Sequence, residues 1–395
     1  MDIDYGTIHE DEWAAHFTLL SQAFNGPVKE ERPHPYLSAD KVVVARSGGA
    51  LVGAAAVADF GQVFEEHVLP MGGVTGVAVA PNATGRGIAR QMMTDLLHRM
   101  IEMGHVVSLL SPSTSRLYRS VGYETANTWM WRALPLDALR SDVPDGITVE
   151  LAGTEVFNDL RGMHEAHARR SHGWLIRDEW FWSRKKWMAE NSETHPRIWV
   201  AKRDGVPIAV GSVRNKADSN VAFAEYDFQF HDVFGEPDGL TAIAATLRTQ
   251  STMAGYLHTT LGPADLPALL DRPEVAEVRM QDPMMGRIVD LPAAVPMRGG
   301  GRFDGAIHLR VHDPLLPRND DNFVIEWSGD ELGITSGGDG SIDVGVGDLS
   351  SMFTGYQAPI SLAAPGRIGP GPSAADVQRL GRWLACPTPV VTDAF

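Results

Sequence analysis

Residues 77–90 combine the patterns of a strand, a loop and a helix start: Val77-Ala78-Val79-Ala80-Pro81-Asn82-Ala83-Thr84-Gly85-Arg86-Gly87-Ile88-Ala89-Arg90. The small apolar run up to Pro81 is typical of a buried strand followed by a breaker. After Gly87, apolar residues recur every three or four positions, which predicts an amphipathic helix that Gly104 ends. Gly85 and Gly87 would therefore lie at a helix N-terminus, where unpaired backbone N–H groups and the helix dipole favour a phosphate.

Strand and turn patterns surround this segment. Residues 41–59 read as two strands joined by a turn at Ser47-Gly48-Gly49, which predicts a hairpin. Residues 105–111 predict a further strand, and Ser113-Thr114-Ser115 offers N-caps for a short helix through Tyr118 that ends near Gly122. Residues 123–131 then predict a strand, so the first part of the chain reads as a mixed α and β unit.

Two changes of composition predict boundaries further along. Pro135 and residues 141–146 read as a linker, after which a hairpin is expected over 198–212, with its turn at Asp204-Gly205. The second change falls at residues 292–302. Other elements are predicted from periodicity and capping: strands over 221–230 and 278–280, helices over 240–250 and 265–270, alternating strands over 307–311 and 323–327, and a helix over 374–384 capped by Ser373.

Length and charge exclude several classes of protein. At 395 residues the chain exceeds the roughly 300 at which a single core stops growing, so two or three domains are expected. The formal net charge of −16 argues against nonspecific nucleic-acid binding and would attract a cationic substrate, with solubility alone as an equal alternative. One cysteine, Cys386, allows no internal disulfide. With an acidic N-terminus and no run of about 18 apolar residues, we expect no secretory signal, no membrane span and a cytoplasmic location.

Two blocks of sequence resemble the GCN5-related N-acetyltransferase (GNAT) family. The loop contains Thr84-x-x-Gly87-x-Ala89, in the frame of the family's acetyl-CoA loop Q/R-x-x-G-x-G/A, with Thr84 in place of the usual Arg or Gln. The second block, Leu117-Tyr118-Arg119-Ser120-Val121-Gly122-Tyr123, matches the family's aromatic residues before a glycine. The resemblance implies acetyl-CoA as the acetyl donor, and no metal is expected.

Over its whole length the chain resembles the Eis-type (enhanced intracellular survival) branch of that superfamily. This resemblance implies an α+β fold with two tandem GNAT-like mixed-sheet domains, the second degenerate, followed by a sterol-carrier-protein-like α/β domain. The domains would span residues 1–138, 139–290 and 291–395. The resemblance also implies a homohexamer. Beyond the loop and Tyr118, it rests on residues 287–294 and on the terminal Phe395.

The resemblance assigns the donor-binding residues. The pantetheine would pair with the strand at Val77, Ala78 and Val79, and the pyrophosphate would lie on the loop at Gly85, Arg86, Gly87, Ile88, Ala89 and Arg90. Ser113 and Thr114 fall where the family makes a further cofactor contact, although capping of the next helix is an equal alternative. Arg86, Arg90, Arg116 and Arg119 would suit an anionic cofactor, with surface positions as the alternative.

Tyr118 and Phe395 are the catalytic candidates. A phenol with a pKa near 10 is protonated at neutral pH and suits a thiolate leaving group, so Tyr118 is the expected general acid; a packed aromatic is the alternative. The family resemblance implies that the α-carboxylate of Phe395 accepts the proton of the amine. Because a carboxylate with a pKa near 3.5 is a weak base, it is also expected to anchor a cationic acceptor, a role that Asp393 would share. The alternative is a disordered terminus.

We expect an N-acetyltransferase that acts on amines of an aminoglycoside, a polyamine or a lysine side chain. The alternative is a noncatalytic protein that senses CoA or carries a lipid in its sterol-carrier-like domain. His164 and His167, with His172, could bind zinc only with a further ligand, and solvated histidines on a helix face are the favoured interpretation.

Overall fold

A computed structural model describes residues 3–25, 37–191, 196–217, 226–262, 264–369, 371–393 and 395. The strands are β1 (Ile3–Thr7), β2 (Val42–Ser47), β3 (Ala50–Phe64), β4 (His67–Val79), β5 (Val107–Leu110), β6 (Glu124–Pro135), β7 (Ile147–Ala152), β8 (Leu175–Arg177), β9 (Arg197–Arg203), β10 (Val206–Ala217), β11 (Tyr226–Gly235), β12 (Ala254–Thr259), β13 (Glu277–Ile288), β14 (Ala306–His312), β15 (Asn322–Ser328), β16 (Glu331–Ser336) and β17 (Ile342–Gly345). The helices are α1 (Trp13–Phe24), α2 (Ile88–Glu102), α3 (Ser115–Arg119), α4 (Phe157–Ala168), α5 (Glu179–Glu190), α6 (Pro237–Arg248), α7 (Leu266–Leu269), α8 (Leu291–Arg298), α9 (Val346–Phe353), α10 (Pro359–Ala363) and α11 (Ala374–Leu384).

The chain divides into two compact units, each built from separate stretches of sequence. Unit 1 comprises residues 1–128, 172–180 and 282–395, and unit 2 comprises residues 129–171 and 181–281. The segment predicted as the sterol-carrier-like domain therefore belongs to the same compact unit as the predicted acetyl-CoA loop. The three-domain division stays a prediction.

Unit 1 is built on a mixed sheet. Strands β1, β2, β3 and β4 pair antiparallel in chain order, α2 crosses over, and β5 returns parallel to β4. The end of β13 pairs antiparallel with β5. The predicted apolar face of α2 is buried against β2, β3 and β4 in one core cluster, so the periodicity of this helix is confirmed.

Unit 2 repeats this order of pairing. Strands β7, β9, β10 and β11 form the antiparallel series, α6 crosses over, and β12 is parallel to β11. The end of β6 pairs antiparallel with β12, as β13 does with β5 in unit 1. The hairpin predicted at Asp204-Gly205 is confirmed, with both residues at positive φ.

The sterol-carrier-like region of unit 1 has its own sheet. Strands β16, β15 and β14 are antiparallel, and β17 is parallel to β14. Ser373 starts α11 with a capping box in which its hydroxyl accepts from the Asp376 N–H at 3.1 Å, as predicted. The α+β class with mixed sheets is thus confirmed.

Several element boundaries differ from the sequence prediction. β6 continues to Pro135, which was interpreted as linker but pairs with Tyr256 at the strand end, where its missing N–H is tolerated. The predicted strand at 278–280 is part of the longer β13. Asp265 precedes α7 but makes no capping bond, and its backbone is helical where an N-cap residue is normally extended. Of the strand predicted over 221–230, residues 221–225 lie outside the described residues.

Candidate active site

Strands β4 and β5 separate towards their C-terminal ends. They pair through Met71, Gly72 and Gly73, and β4 then runs on to Val79 beside β3 alone. A bulge between Ala54 and Ala56 interrupts the pairing of β3 with β4, and Gly76 in that region has φ +62°. Along residues 75–79, the edge of β4 that faces away from β3 has no strand partner among the described residues. An extended ligand can pair there as an additional strand would.

The loop over residues 80–87 connects β4 to α2. Thr84 donates its hydroxyl to the Pro81 carbonyl at 3.0 Å, so this departure from the family motif serves the loop itself. Gly85 and Gly87 both have φ +76°, and a Cβ added to either would meet no atom within 4 Å. Backbone strain therefore favours glycine at both positions, and the space above them is open to a ligand.

The N-terminus of α2 has free donors. Gly87 occupies the N-cap position without a side-chain bond, and the first bond of the helix runs from the Gln91 N–H to the Gly87 carbonyl at 3.1 Å. The N–H groups of Ile88, Ala89 and Arg90 therefore have no partner inside the helix. Ile88 is 2% exposed and anchors this end of α2 in the core. The loop fits a pyrophosphate by backbone geometry and helix dipole.

The arginines near this loop differ in their partners. Arg90 and Arg116 are exposed and have no ion-pair partner within the described part of the chain. Arg119, in contrast, donates to both carboxylate oxygens of Glu124, at 2.9 Å from Nε and 2.8 Å from Nη2. The expectation that Arg119 serves the cofactor is therefore not supported, because its charge is already paired.

Tyr118 lies in α3 and is 4% exposed. Its ring packs edge to face on Tyr123, with 6.3 Å between the centroids, and its side chain hydrogen-bonds with that of Ser113. Burial raises the pKa of Tyr118, and the bond with Ser113 only partly offsets this effect. The residue is a packed aromatic and also a protonated phenol, so the two alternatives from the sequence are compatible.

Ser113 and Thr114 precede α3 and are both exposed. Thr114 is the N-cap residue, but its side chain makes no capping bond. Ser113 is engaged with the Tyr118 phenol instead. Capping therefore does not explain the Thr114 hydroxyl, and a role towards the cofactor stays a prediction for both residues.

A ring contact and two buried hydrogen bonds link Tyr118 to the point where β4 and β5 separate. Ser108 donates to the Gly72 carbonyl at 2.7 Å and shares a 2.7 Å hydrogen bond with the Tyr123 hydroxyl. Tyr123 carries the ring on which Tyr118 rests. Sequence reasoning missed Ser108 and Tyr123, since a serine inside a short apolar strand carries no signal of its partner.

Phe395 is held against the other face of β4. A Cβ on Gly73 would lie 2.9 Å from the Phe395 ring, and that ring stands 5.0 Å from the Phe60 ring between centroids. A Cβ on the preceding Gly72 would instead meet Met100 and His105. Tyr118 and Phe395 are thus linked to two consecutive residues of β4, Gly72 and Gly73, where β4 and β5 part.

The chain before Phe395 is tied down rather than disordered. Val390 donates to the His172 carbonyl at 2.9 Å, and Val391 is 1% exposed. Asp393 forms a buried ion pair with Arg177 of β8, at 2.5 Å and with side chains 1% and 2% exposed. The expectation that Asp393 enlarges a negative substrate pocket is therefore wrong, because a buried guanidinium neutralises it.

The described residues of unit 2 contain no counterpart of the loop over residues 80–87. A single residue, Glu236, separates β11 from α6, whose first residue is Pro237. At the end of β11, the Gly235 N–H donates to His167 Nδ1 at 3.3 Å and its carbonyl accepts from Arg170 at 3.1 Å. The strand end that is open in unit 1 is satisfied by protein groups here. This arrangement agrees with the degenerate second domain that the family resemblance implies.

The histidine pattern of α4 does not form a metal centre. His164 lies between the rings of Trp182 and Phe234, with centroids 5.3 and 5.0 Å away. Both His164 and His167 are buried, which corrects the interpretation as solvated histidines. In the part of the chain that the structure describes, no three potential ligands group around a metal position. Within the same residues, no helix has the length and apolar content to cross a bilayer.

Comparison with known proteins identifies two domains. Residues 4–126 match the model of the acetyltransferase (GNAT) domain, and residues 291–392 match that of the sterol carrier protein domain. The chain is similar to an uncharacterized N-acetyltransferase of Streptomyces griseus, with 25% identity over 98% of this chain and 99% of the relative.

Two mycobacterial proteins are also similar. The N-acetyltransferase Eis of Mycobacterium tuberculosis is 30% identical over 44% of this chain and 47% of Eis. The fold resembles the crystal structure of Eis1 from Mycobacterium abscessus, with a TM-score of 0.81, 21% identity and full coverage of both chains. These similarities favour an acetyltransferase over the noncatalytic alternative. Residues 4–126 thus form a GNAT acetyltransferase domain, residues 291–392 form a sterol carrier protein domain, and the chain as a whole is similar to N-acetyltransferases.

Proposed function

We propose that this protein transfers the acetyl group of acetyl-CoA directly to an amine of a cationic acceptor, such as an aminoglycoside, a polyamine or a lysine side chain. The observation that carries the proposal is the joint placement of three features in unit 1. The open edge of β4 and the uncapped N-terminus of α2 follow the point where β4 and β5 separate, and Phe395 and, through Tyr123 and Ser108, Tyr118 are linked to Gly73 and Gly72 there; this supports the proposal. The GNAT fold implies acetyl-CoA as the donor.

Binding of the donor would use backbone groups more than side chains. The pantetheine would pair with Val77–Val79, and the pyrophosphate would accept from the N–H groups at the start of α2. The open space over Gly85 and Gly87 supports a close approach of phosphate to the backbone. Arg90 and Arg116 are exposed cations that would complement the charge of CoA.

Tyr118 would act as the general acid. The acceptor nitrogen bonds to the acetyl carbon, the C–S bond breaks, and the sulfur takes the Tyr118 proton. Because burial holds the pKa of Tyr118 above its ordinary value, the phenol is protonated at neutral pH. The Ser113 side chain hydrogen-bonds with it and would stabilise the phenolate that forms.

The Phe395 carboxylate would take up the amine proton or hold the cationic acceptor. This role requires a free α-carboxylate on Phe395. The Arg177–Asp393 pair and the seat of the Phe395 ring on Gly73 support it, since they fix the terminal residue beside β4. Asp393 is paired with Arg177, so the terminal carboxylate would be the anion of this segment that faces the acceptor amine.

The test is release of free thiol from acetyl-CoA with a panel of polyamines, aminoglycosides and lysine peptides. Three forms are compared. One ends in the Phe395 carboxylate, a second is made by ligation and ends in Phe395 carboxamide, and a third is extended by a few residues. The carboxamide keeps the ring on Gly73 and removes only the charge, so it is the matched variant. We expect it to bind acetyl-CoA normally and to lose most of its turnover.

Equal turnover of the carboxamide and carboxylate forms would remove the terminal carboxylate from the mechanism. A loss in the extended chain with normal carboxamide activity would show a steric effect. No thiol release with any acceptor in the panel would contradict the proposed acceptor class. A cytoplasmic location and a homohexamer are further predictions from the resemblance, and light scattering of the purified protein tests the latter.

A further inference from the structure

Arg287 is a fully buried arginine beside the candidate catalytic turn. It lies in β13 opposite Ser108, and its side chain is 0% exposed. Its Nη2 donates to both carboxylate oxygens of Asp313, at 2.8 and 2.9 Å. Burying an ion pair is costly unless further hydrogen bonds complete it, so this pair requires an explanation.

Asp313 is held as firmly as Arg287. Its carboxylate also accepts from the Leu315 and Leu316 N–H groups, both at 3.2 Å, and from the Asn319 amide at 3.0 Å. This residue follows β14, within the sterol carrier protein domain. The guanidinium is therefore fixed by a rigid acceptor that the third domain supplies.

The other side of the guanidinium contacts the turn that follows Tyr118. A Cβ on Gly122 would overlap Arg287 Nη1 and lie 2.8 Å from its Cζ, so the guanidinium packs on the Gly122 backbone. Gly122 has φ +84°, which favours glycine there. Nε and Nη1 have no hydrogen-bond partner among the described residues, so this side of the group acts by packing and charge.

The turn in question fixes the backbone of Tyr118. Its carbonyl accepts from the Val121 N–H at 3.1 Å and from the Tyr123 N–H at 3.0 Å. Tyr123 in turn supports the Tyr118 ring and is tied to Ser108, the residue opposite Arg287. Any shift of Gly122 would therefore move both the backbone and the ring support of Tyr118.

Residues of α9 and Thr354, which follows it, reinforce the same attachment. The Ser351 hydroxyl donates to the Thr125 carbonyl at 2.6 Å, and the Thr354 hydroxyl donates to the Ala126 carbonyl at 2.9 Å. Ser350 accepts from the Ile288 N–H at 2.9 Å. These bonds connect the sterol carrier protein domain to β6 and β13, and at the turn itself Val346 of α9 packs on Gly122 beside Arg287.

We propose that Arg287, fixed by Asp313, is a positioning residue that holds the turn after Tyr118 and so aims the Tyr118 phenol at the departing thiolate. This proposal rests on the proposed role of Tyr118 as general acid. It assigns the sterol carrier protein domain a part in acetyl transfer, through the placement of an acid that lies in the GNAT domain.

The test is a double-mutant cycle of Arg287→Met and Tyr118→Phe. We expect Arg287→Met to lower kcat at least tenfold, with CoA affinity by calorimetry changed less than twofold. In the Tyr118→Phe background the same substitution should change kcat less than twofold, because the acid is already absent. Asp313→Asn should behave as Arg287→Met does, and Arg287→Lys should recover part of the loss. These two variants keep the test valid if Arg287→Met does not fold.

Arg298→Met is the matched control. Arg298 is 3% exposed, and its guanidinium donates to the Phe353, Trp383 and Leu384 carbonyls, away from the turn. Its loss should affect kcat equally in both backgrounds. An equal kcat loss from Arg287→Met in both backgrounds would overturn the positioning role. Unchanged turnover in Tyr118→Phe would instead overturn the proposed acid, and this inference with it.

Discussion

Replacing Gly87 with alanine separates donor binding from folding at the phosphate loop. Gly87 has φ +76°, and an added Cβ would meet no atom within 4 Å, so folding loses only the left-handed strain. That strain is about 1 to 2 kcal/mol of unfolding free energy. In the complex, the new methyl group would stand where a pyrophosphate approaches the backbone. Loss of one hydrogen bond to a charged group costs about 1.5 to 3 kcal/mol, which lowers CoA affinity about 10- to 150-fold.

Gly104→Ala provides the matched control, because Gly104 follows the opposite end of α2. It has φ +82°, and an added Cβ would again meet nothing within 4 Å, so its strain equals that at Gly87. Urea unfolding should show similar losses of stability for the two variants. Calorimetric titration with CoA should show weaker binding for Gly87→Ala alone. Equal CoA affinity in both variants would refute the assignment of residues 85–90 to the pyrophosphate.

Tyr118→Phe should lower kcat at least tenfold and change the KM for acetyl-CoA less than twofold, as measured by steady-state thiol release. Because burial raises the pKa of Tyr118, the phenol should stay protonated and kcat should not fall up to about pH 10. A decline of kcat between pH 8 and 9.5 that is absent in Tyr118→Phe would contradict this expectation. Burial lowers the pKa of His172 to about 4, so as pH falls the imidazole takes up a proton in the unfolded chain before it does so in the folded protein. His172 should therefore contribute a drop of up to about 3 kcal/mol in the unfolding free energy between pH 6.5 and 4. In urea titrations His172→Phe should reduce the slope by that share and leave the share of His16, whose pKa burial also lowers to about 4. Gly122→Ala should destabilise unit 1 by about 1 to 3 kcal/mol more than Gly146→Ala destabilises the protein, since only the former meets a buried side chain, and equal melting temperatures would exclude this.

Local patterns predicted the elements whose causes are local. The period of α2, the capping box at Ser373 and the turn at Asp204-Gly205 each depend on residues within a few positions of one another. Strand ends were predicted less well, because a strand extends as far as its partner allows. β4 begins at His67, which pairs with Phe64, and the residues alone give no reason to start it there.

The candidate site shows the same division. The loop from Gly85 to Arg90 is contiguous, so it could be found from its glycines and the helix that follows. Arg177 and Asp393 are 216 positions apart, and neither residue carries a mark of the other. Arg287 was part of a stretch singled out by resemblance, but its contact with Gly122 depends on the packing of β13 beside β5. Long-range ion pairs of this kind require the fold before they can be named.

The contrast between the two units shows what a GNAT-like topology needs before it can bind a donor. Both units have an antiparallel series, a crossover helix and a parallel strand, so the order of pairing alone does not create the site. Unit 1 places residues 80–87 between strand and helix, and the space beside Gly85 and Gly87 in this loop is open. In unit 2, a Cβ on Gly239 would lie 2.6 Å from the Ala209 Cβ, so α6 begins directly against β10. Because Pro237 also removes one N–H at that helix start, unit 2 keeps the order of pairing but offers a pyrophosphate one donor fewer and no loop like that of residues 80–87 between strand and helix.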